Sequence, residues 1–159
     1  AGSAASNLAK AQAAAGLEVT HLFAVDSGLR GSPLTKPLVT LSAALDQFIL
    51  ADSSFGSQVS AVRQIVGQAC EADVFRDAIV HLHWSPGIIS LSQMRALRNS
   101  KRVFIHLHDE QSFTGVCHFS NGCRNYESGC NACPAVKNVY RSFPSKLLEK
   151  KKELKNSMI

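Results

Sequence analysis

Apolar residues follow two kinds of spacing along the chain, and these predict an opening helix and then a strand. Alanine and leucine recur at helical spacing over 3–15, and Gly16 follows at the point where a left-handed conformation favours glycine. Residues 17–25 are apolar and β-branched and predict a strand. Irregular structure is expected over 29–37, because this stretch contains two prolines.

The middle of the chain predicts alternating helices and strands. Helical spacing predicts helices over 39–50 and 57–71. Short apolar runs at 78–83 and 103–107, each bounded by polar residues, predict two buried strands with a helix over 88–98 between them. Such alternation predicts an α/β fold with a doubly wound parallel sheet. Because ligands of these sheets bind beyond the carboxyl ends of the strands, the residues that follow each run are the first candidates for a functional site.

The segment 109–134 has no periodicity and carries four of the five cysteines. It is long for a loop and is expected to lack a core of its own, so it needs some stabilisation. The spacing C-x5-C-x6-C-x2-C belongs to Cys117, Cys123, Cys130 and Cys133. Four thiolates can hold a structural zinc ion, and the C-x2-C pair favours zinc over disulfides in a cytoplasmic protein. Two disulfides and free buried thiols are the alternatives.

Four histidines lie near the carboxyl ends of the two predicted strands. His81 and His83 alternate on the first strand, and His106 and His108 repeat this spacing on the second. A histidine near a strand end is more often a hydrogen-bonded rim residue than a catalyst. His108 differs, because it ends its strand, precedes Asp109 and opens the long loop. It is therefore the best candidate for contact with a reacting ligand.

Composition and charge narrow the class of protein. The chain has 159 residues, 45% hydrophobic and 18% charged, which suits one compact domain with a core. No apolar run reaches the roughly 20 residues of a membrane span. The net charge of +5 is concentrated in the predicted helix 144–156, without interleaved aromatic residues, which argues against nucleic acid as a partner. The basic residues of that helix indicate either a face exposed to solvent or, alternatively, a surface that contacts anionic lipid.

Several motifs together resemble a known family. They are His81-Leu82-His83-Trp84, His108-Asp109, Phe113-Thr114-Gly115, Cys117-His118, Cys123, Gly129-Cys130 and Cys133-Pro134. The pattern resembles the amino-terminal domain of glycosyltransferase family 4 enzymes, in particular the bacterial group that builds exopolysaccharides such as colanic acid. The likeness covers most of the chain. It departs at Glu110-Gln111, where the family has Met-Trp, so an aromatic contact expected near the acceptor is missing.

The resemblance implies a GT-B enzyme, of which residues 1–159 form a single amino-terminal Rossmann-like domain. A second Rossmann-like domain, expected beyond this sequence, would hold most of the nucleotide-sugar donor. The implied reaction is transfer of the sugar, with retention at the anomeric carbon, to a glycan or lipid-linked acceptor, with no essential metal at the chemistry. The implied location is the cytoplasm, with peripheral contact at the inner face of the plasma membrane.

The resemblance also implies roles for individual residues. His108 would face the donor sugar, and Asp109 would order the loop or touch acceptor hydroxyls. Gly2 would belong to the loop that approaches the donor phosphates. Donor or acceptor contacts are further implied for His83, Trp84, Phe113, Thr114 and Gly115. The rival interpretation is a non-catalytic module, in which the zinc-stapled cysteine loop is a surface for protein partners.

Overall fold

The computed structural model describes residues 2–21, 35–51, 59–67 and 72–156. Their regular elements are α1 (Gly2–Ala14), α2 (Thr35–Ile49), β1 (Ile79–Leu82), β2 (Arg102–Ile105) and α3 (Phe143–Asn156). Short 3-10 helices occupy Val62–Gln64, Ala72–Phe75, Gln93–Asn99 and Asn138–Tyr140. The fold is therefore α/β.

The strands β1 and β2 pair in parallel, with His81 opposite Phe104. The sequence predicts parallel pairing of these strands, and the described part of the chain forms a sheet of two parallel strands. The prediction that both strands are buried is wrong, since Ile79 is 62% exposed and Ile105 is 44% exposed. Parallel strands are buried only where helices cover both faces. The described helices thus leave part of this sheet uncovered.

The main core joins the segment 109–134 and the residues just after it to α3 and to the segments around Leu50 and Val59. Leu50 bridges Val136 and Val59 bridges Cys117, both in antiparallel fashion. Val116 and Val136 are almost completely buried in the same cluster as Leu147 of α3. The expectation that 109–134 lacks a core is therefore wrong, because Val116, Cys117 and Cys133 of this segment are buried members of the main core.

The two clearest helical patterns appear in the structure close to their predicted bounds. α1 ends at Ala14, and Gly16 follows with φ of +84°, the left-handed conformation that the sequence predicts. α3 begins at Phe143, one residue before the predicted start. Its leucines at positions 147, 148 and 154 are buried, whereas most of its lysines are exposed. Among the described helices, none is long and apolar enough to cross a membrane.

The predicted helix 57–71 is wrong over 59–67, where the structure has one 3-10 turn at Val62–Gln64. A tertiary contact holds the start of this turn. The buried carboxylate of Asp46 accepts hydrogen bonds from the backbone N–H groups of Ala61, at 2.7 Å, and Val62, at 2.6 Å. These partners replace those that a longer helix would supply. The remainder of the predicted helix, 57–58 and 68–71, lies outside the described residues.

Four other predictions differ from the structure. Residues 17–21 of the predicted strand 17–25 have no regular structure, and 22–25 lie outside the described residues. The predicted irregular stretch 29–37 is helical from Thr35, because Pro37 lies in the first turn, where its missing N–H costs nothing; residues 29–34 are not described. α2 ends at Ile49, one residue short of the predicted helix 39–50. The helix predicted over 88–98 is the 3-10 helix Gln93–Asn99.

Candidate functional site

The four strand-end histidines form one continuous row of rings, in the order His81, His106, His83, His108. Nδ1 of His81 lies 2.8 Å from Nε2 of His106, and Nδ1 of His83 lies 2.8 Å from Nε2 of His108. Between these pairs, the rings of His83 and His106 stack with centroids 4.2 Å apart. The parallel register of β1 and β2 produces this row, because it brings every second residue of both strands to one face.

Two imidazoles of the row, those of His81 and His83, favour the neutral form. Burial lowers the pKa of His81, and the neighbouring His106 lowers it further. Burial likewise lowers the pKa of His83, with smaller contributions from four other histidines. Each short Nδ1–Nε2 contact needs one ring nitrogen that donates and one that accepts, which two imidazolium rings cannot provide. A pair in which both rings are protonated would therefore lose its hydrogen bond.

Asp109 is held entirely within the protein. Its Oδ1 accepts the backbone N–H of Gln111 at 2.9 Å, and its Oδ2 lies 2.6 Å from Nδ1 of His118. Nε2 of His118 lies 2.7 Å from the Ser60 hydroxyl oxygen. Ser60 is fully buried, so this serine, histidine and aspartate form a link between two segments and not an accessible nucleophile. Asp109 orders the start of the loop.

Trp84 packs against the same link. Its indole ring stacks on the ring of His118 with centroids 5.5 Å apart, and the Arg63 guanidinium lies 5.6 Å from the Trp84 ring centroid. The indole Nε1 is 3.3 Å from Nδ1 of His118, but the carboxylate of Asp109 is closer to that nitrogen. Trp84 therefore supports His118 mainly through ring packing.

A cavity of about 230 Å³ opens where β1 and β2 end, between the sheet edge and α3. Its wall is mostly apolar and includes Leu82, Ile89, Leu91, Met94, Ile105, Phe113, Leu148 and Leu154. Polar groups enter the wall from Gln64 and His83, and Lys151, Lys152 and Lys155 of α3 also line it. A mostly apolar cavity with a few placed polar groups is the usual form of a small-ligand site.

Lys151 is the least exposed lysine of α3. Its Nζ donates to the backbone oxygens of Gln111 at 2.6 Å, Thr114 at 2.8 Å and Gly115 at 3.3 Å. Burial lowers the pKa of Lys151 to about 7, while Cys130, Cys117 and Asp109 oppose that decrease. The ammonium thus fixes the turn at residues 111–115 from inside the protein.

The cysteines of segment 109–134 are free thiols, and three of them are buried. Cys117 hydrogen-bonds to Cys133, which lowers the pKa of Cys133, and the backbone N–H groups of Ala135 and Val136 lower it further. The Sγ of Cys130 accepts the backbone N–H of Gly115 at 3.3 Å. Among the residues that the structure describes, no three His, Cys, Asp or Glu side chains are arranged to hold a metal ion.

The structure distributes the predicted site residues over three neighbouring groups. His83 and Phe113 line the cavity, and His108 contacts His83. Asp109 and Trp84 surround His118. Thr114 and Gly115 lie at Lys151, where Thr114 also donates from its hydroxyl to the Cys117 carbonyl at 2.6 Å. Gly2 begins α1. A Cβ at Gly115 would overlap the backbone of Pro144, so Gly115 acts in packing.

Sequence reasoning missed Gln64 and Lys151. A signal for Lys151 is present in the sequence, because it follows Leu147 by four positions and precedes Leu154 by three, which places it on the buried face of α3. No local signal identifies Gln64, since its hydrogen-bond partner Gly115 lies 51 positions away.

The chain is similar to the protein "Putative colanic acid biosynthesis glycosyl transferase WcaC" of Escherichia coli K12. The two sequences are 24% identical over 111 residues, which cover 64% of this chain and 26% of that protein. The chain thus spans about a quarter of the length of that relative. No protein-family model matches the sequence. No solved structure matches the chain.

Proposed function

We propose that this chain is the acceptor-side domain of a retaining glycosyltransferase of family 4, with a GT-B fold. It would serve transfer of a sugar from a nucleotide-sugar donor to a glycan or lipid-linked acceptor in polysaccharide biosynthesis. The observation that carries the proposal is the cavity at the carboxyl ends of β1 and β2. Ligands of parallel sheets bind at this edge. The similarity to a protein named as a glycosyl transferase supports sugar transfer as the reaction class.

In this proposal the cavity receives the acceptor. Phe113 is 41% exposed and lines the cavity, so its ring is available to pack on the apolar face of a sugar or on a lipid chain. His83 lines the same wall and contacts His108. His108 is exposed beside the cavity and orients the donor sugar from the acceptor side. Asp109 acts through His118, because both of its carboxylate oxygens have partners within the chain.

The nucleotide sugar is held mainly by a second Rossmann-like domain in this proposal. The leaving phosphate needs positive charge as the bond to the sugar breaks. Lys151 is committed to three backbone oxygens, and Lys152 and Lys155 lie on α3 at the cavity. We therefore assign the lysines of α3 to the acceptor side, where they would attract an anionic lipid headgroup at the inner face of the membrane.

The test of the proposed function is transfer activity of the intact protein with His108→Ala. We expect loss of transfer with unchanged far-ultraviolet circular dichroism, because His108 is exposed and its removal leaves the core intact. The matched control is His81→Ala, which removes an imidazole of the same row at its far end, where it pairs with His106. Normal transfer by His108→Ala would contradict the assigned role of this histidine.

A second candidate function is the non-catalytic interaction module. The observation that favours it is an exposed apolar stripe on α2, formed by Leu38, Leu41, Leu45 and Phe48, which are 41–59% exposed. An exposed stripe of this kind is typical of a contact surface. Sugar transfer that depends on His108 would contradict a purely non-catalytic role. A partner whose binding is lost with Leu41→Glu, in a protein without transferase activity, would support it.

A further inference from the structure

Two residues of the cavity wall each carry a buried polar atom that has no hydrogen-bond partner among the described residues. These atoms are Oε1 of Gln64 and Nε2 of His83. Leaving a buried polar atom unpaired costs free energy, so such atoms are rare in native structures. Two of them in the wall of one cavity indicate that a ligand, once bound, supplies the missing hydrogen bonds.

The orientation of the Gln64 amide is fixed. Its Nε2 donates to the backbone oxygen of Ser60 and to that of Gly115, the latter at 3.1 Å. Since both partners are acceptors, the nitrogen of the amide must face them and Oε1 must face away. Gln64 is only 2% exposed. The free atom is therefore a buried acceptor, and it requires a donor on the ligand.

His83 can donate to the ligand or accept from it. Its Nδ1 is occupied by Nε2 of His108 at 2.8 Å, which leaves Nε2 as the free nitrogen. When Nδ1 accepts the proton of His108, the His83 Nε2 carries a hydrogen and donates. When Nδ1 donates, the His83 Nε2 accepts. A hydroxyl group satisfies either state, because it can donate and accept.

The rest of the wall limits what the ligand can be. Lys151 has three backbone partners, so the ligand does not need to neutralise its charge. The cavity of about 230 Å³ is smaller than the roughly 300–1,000 Å³ of pockets for drug-sized ligands. It has space for one small ring and the adjoining part of a chain, and its apolar side chains favour a ligand with an apolar part.

We propose that Gln64 and His83 recognise hydroxyl groups of a sugar that carries an apolar chain. Gln64 accepts from one hydroxyl, His83 exchanges a hydrogen bond with another, and the leucine and isoleucine side chains of the wall cover the apolar part. This inference rests on the proposed function, because it takes the cavity to be the acceptor site. It adds Gln64 and His83 as the residues that select for hydroxyl groups.

The test is calorimetric binding of n-octyl β-D-glucopyranoside to the full chain, below the micellar concentration. The reference ligand is an octyl oligoethylene glycol methyl ether, which has the same chain and no hydrogen-bond donor. We expect the glucoside to bind more tightly. Gln64→Met and His83→Asn should each weaken glucoside binding about three- to ten-fold, the range for loss of one neutral hydrogen bond, and leave the ether unaffected.

Two further variants separate recognition from folding. His83→Gln should restore glucoside affinity, because its amide reaches about as far as the imidazole Nε2, whereas Asn reaches only about as far as Nδ1. Ser100→Ala is the matched control, since Ser100 Oγ is also buried without a partner but does not line the cavity. It should leave both affinities unchanged. If Gln64→Met does not fold by circular dichroism, the two His83 variants decide.

Equal affinity for both ligands, or unchanged glucoside affinity in His83→Asn, would overturn the inference. The outcome is distinguishable from failure of the proposed function, because binding is measured without transfer. Loss of transfer in His108→Ala together with unaltered glucoside binding in the cavity variants would leave the proposed function standing and remove this inference. Selective glucoside binding by an intact protein without transferase activity would support the hydroxyl recognition and contradict the proposed function.

Discussion

At the residue scale, Lys151 shows how one side chain replaces secondary structure in holding a turn. The turn at 111–115 has three backbone oxygens directed at a single ammonium group. Each of these oxygens would be costly to bury without a partner. The lysine thus meets the hydrogen-bonding needs of a segment that has neither helix nor strand.

Lys151→Met should destabilise the protein by about 1–3 kcal/mol, because it keeps the apolar stem and removes the donor of three buried oxygens. Urea unfolding followed by circular dichroism measures this difference. The matched control is Lys150→Met, at the exposed neighbouring position, whose free energy of unfolding should change by less than about 0.5 kcal/mol. Equal stability of the two variants would show that the carbonyl contacts of Lys151 contribute little.

At the element scale, the cysteine segment is held by packing in the main core and by sulfur contacts. Residues 129–132 include Gly129, Cys130 and Ala132 at positive φ, of 105°, 58° and 52°. Non-glycine residues keep such a conformation only where other interactions enforce it. The hydrogen bond from Cys117 lowers the pKa of Cys133, whereas burial raises the pKa of Cys130 although the Gly115 N–H group opposes that increase. Zinc binding by Cys117, Cys123, Cys130 and Cys133 stays a prediction from their spacing, because the described side chains are not arranged around a metal position.

Elemental analysis of protein purified without chelator should give about one zinc per chain, because four clustered cysteines match the coordination number of a structural zinc. Removal of the metal by a chelator should lower the melting temperature, since a structural ion stabilises only the folded state. Cys133→Ser should reduce the zinc content, whereas Cys70→Ser, outside the segment, should not. Four titratable thiols in metal-free protein would contradict the zinc proposal.

At the scale of the whole molecule, partly buried titratable groups at the sheet edge couple folding to pH. His81 and His83 have folded-state pKa values below the usual 6.5. Lys151 has a folded-state pKa of about 7 against an ordinary 10.5. In each case the unfolded chain binds protons more readily than the folded chain, so stability rises with pH while that difference lasts. For the histidines, this rise of stability with pH occurs below about pH 6.5. For the lysine, it occurs between about pH 7 and pH 10.5.

The melting temperature should therefore rise from pH 5.5 to pH 8.5. The histidines contribute their full stabilisation above pH 6.5 and lose it as the pH falls towards their folded pKa values. Differential scanning calorimetry across this range measures the effect. His81→Gln should flatten the acidic part of the curve and Lys151→Met the alkaline part. A slope that is unchanged in both variants would mean that other groups cause the pH dependence.

The sequence by itself determined the elements whose signals are local. Repeated apolar spacing predicted α1 and α3, and short apolar runs predicted β1 and β2. The alternation of strands and helices predicted their parallel pairing. The four cysteines of segment 109–134 and the four strand-end histidines are likewise evident from spacing alone. Local spacing works here because helices and strands impose fixed periods on the chain.

Only the tertiary structure decided which of these residues are free to meet a ligand. Asp109 was a candidate for acceptor contact, but His118 and the N–H of Gln111 occupy its carboxylate. Gln64 lies in a segment that periodicity predicted as helix, but the structure has a 3-10 turn there, and Asp46 binds the N–H groups at its start. The partners of these groups lie up to 51 positions apart in the chain. A hydrogen bond across such a distance leaves no period in the sequence, so it appears only when the chain is folded.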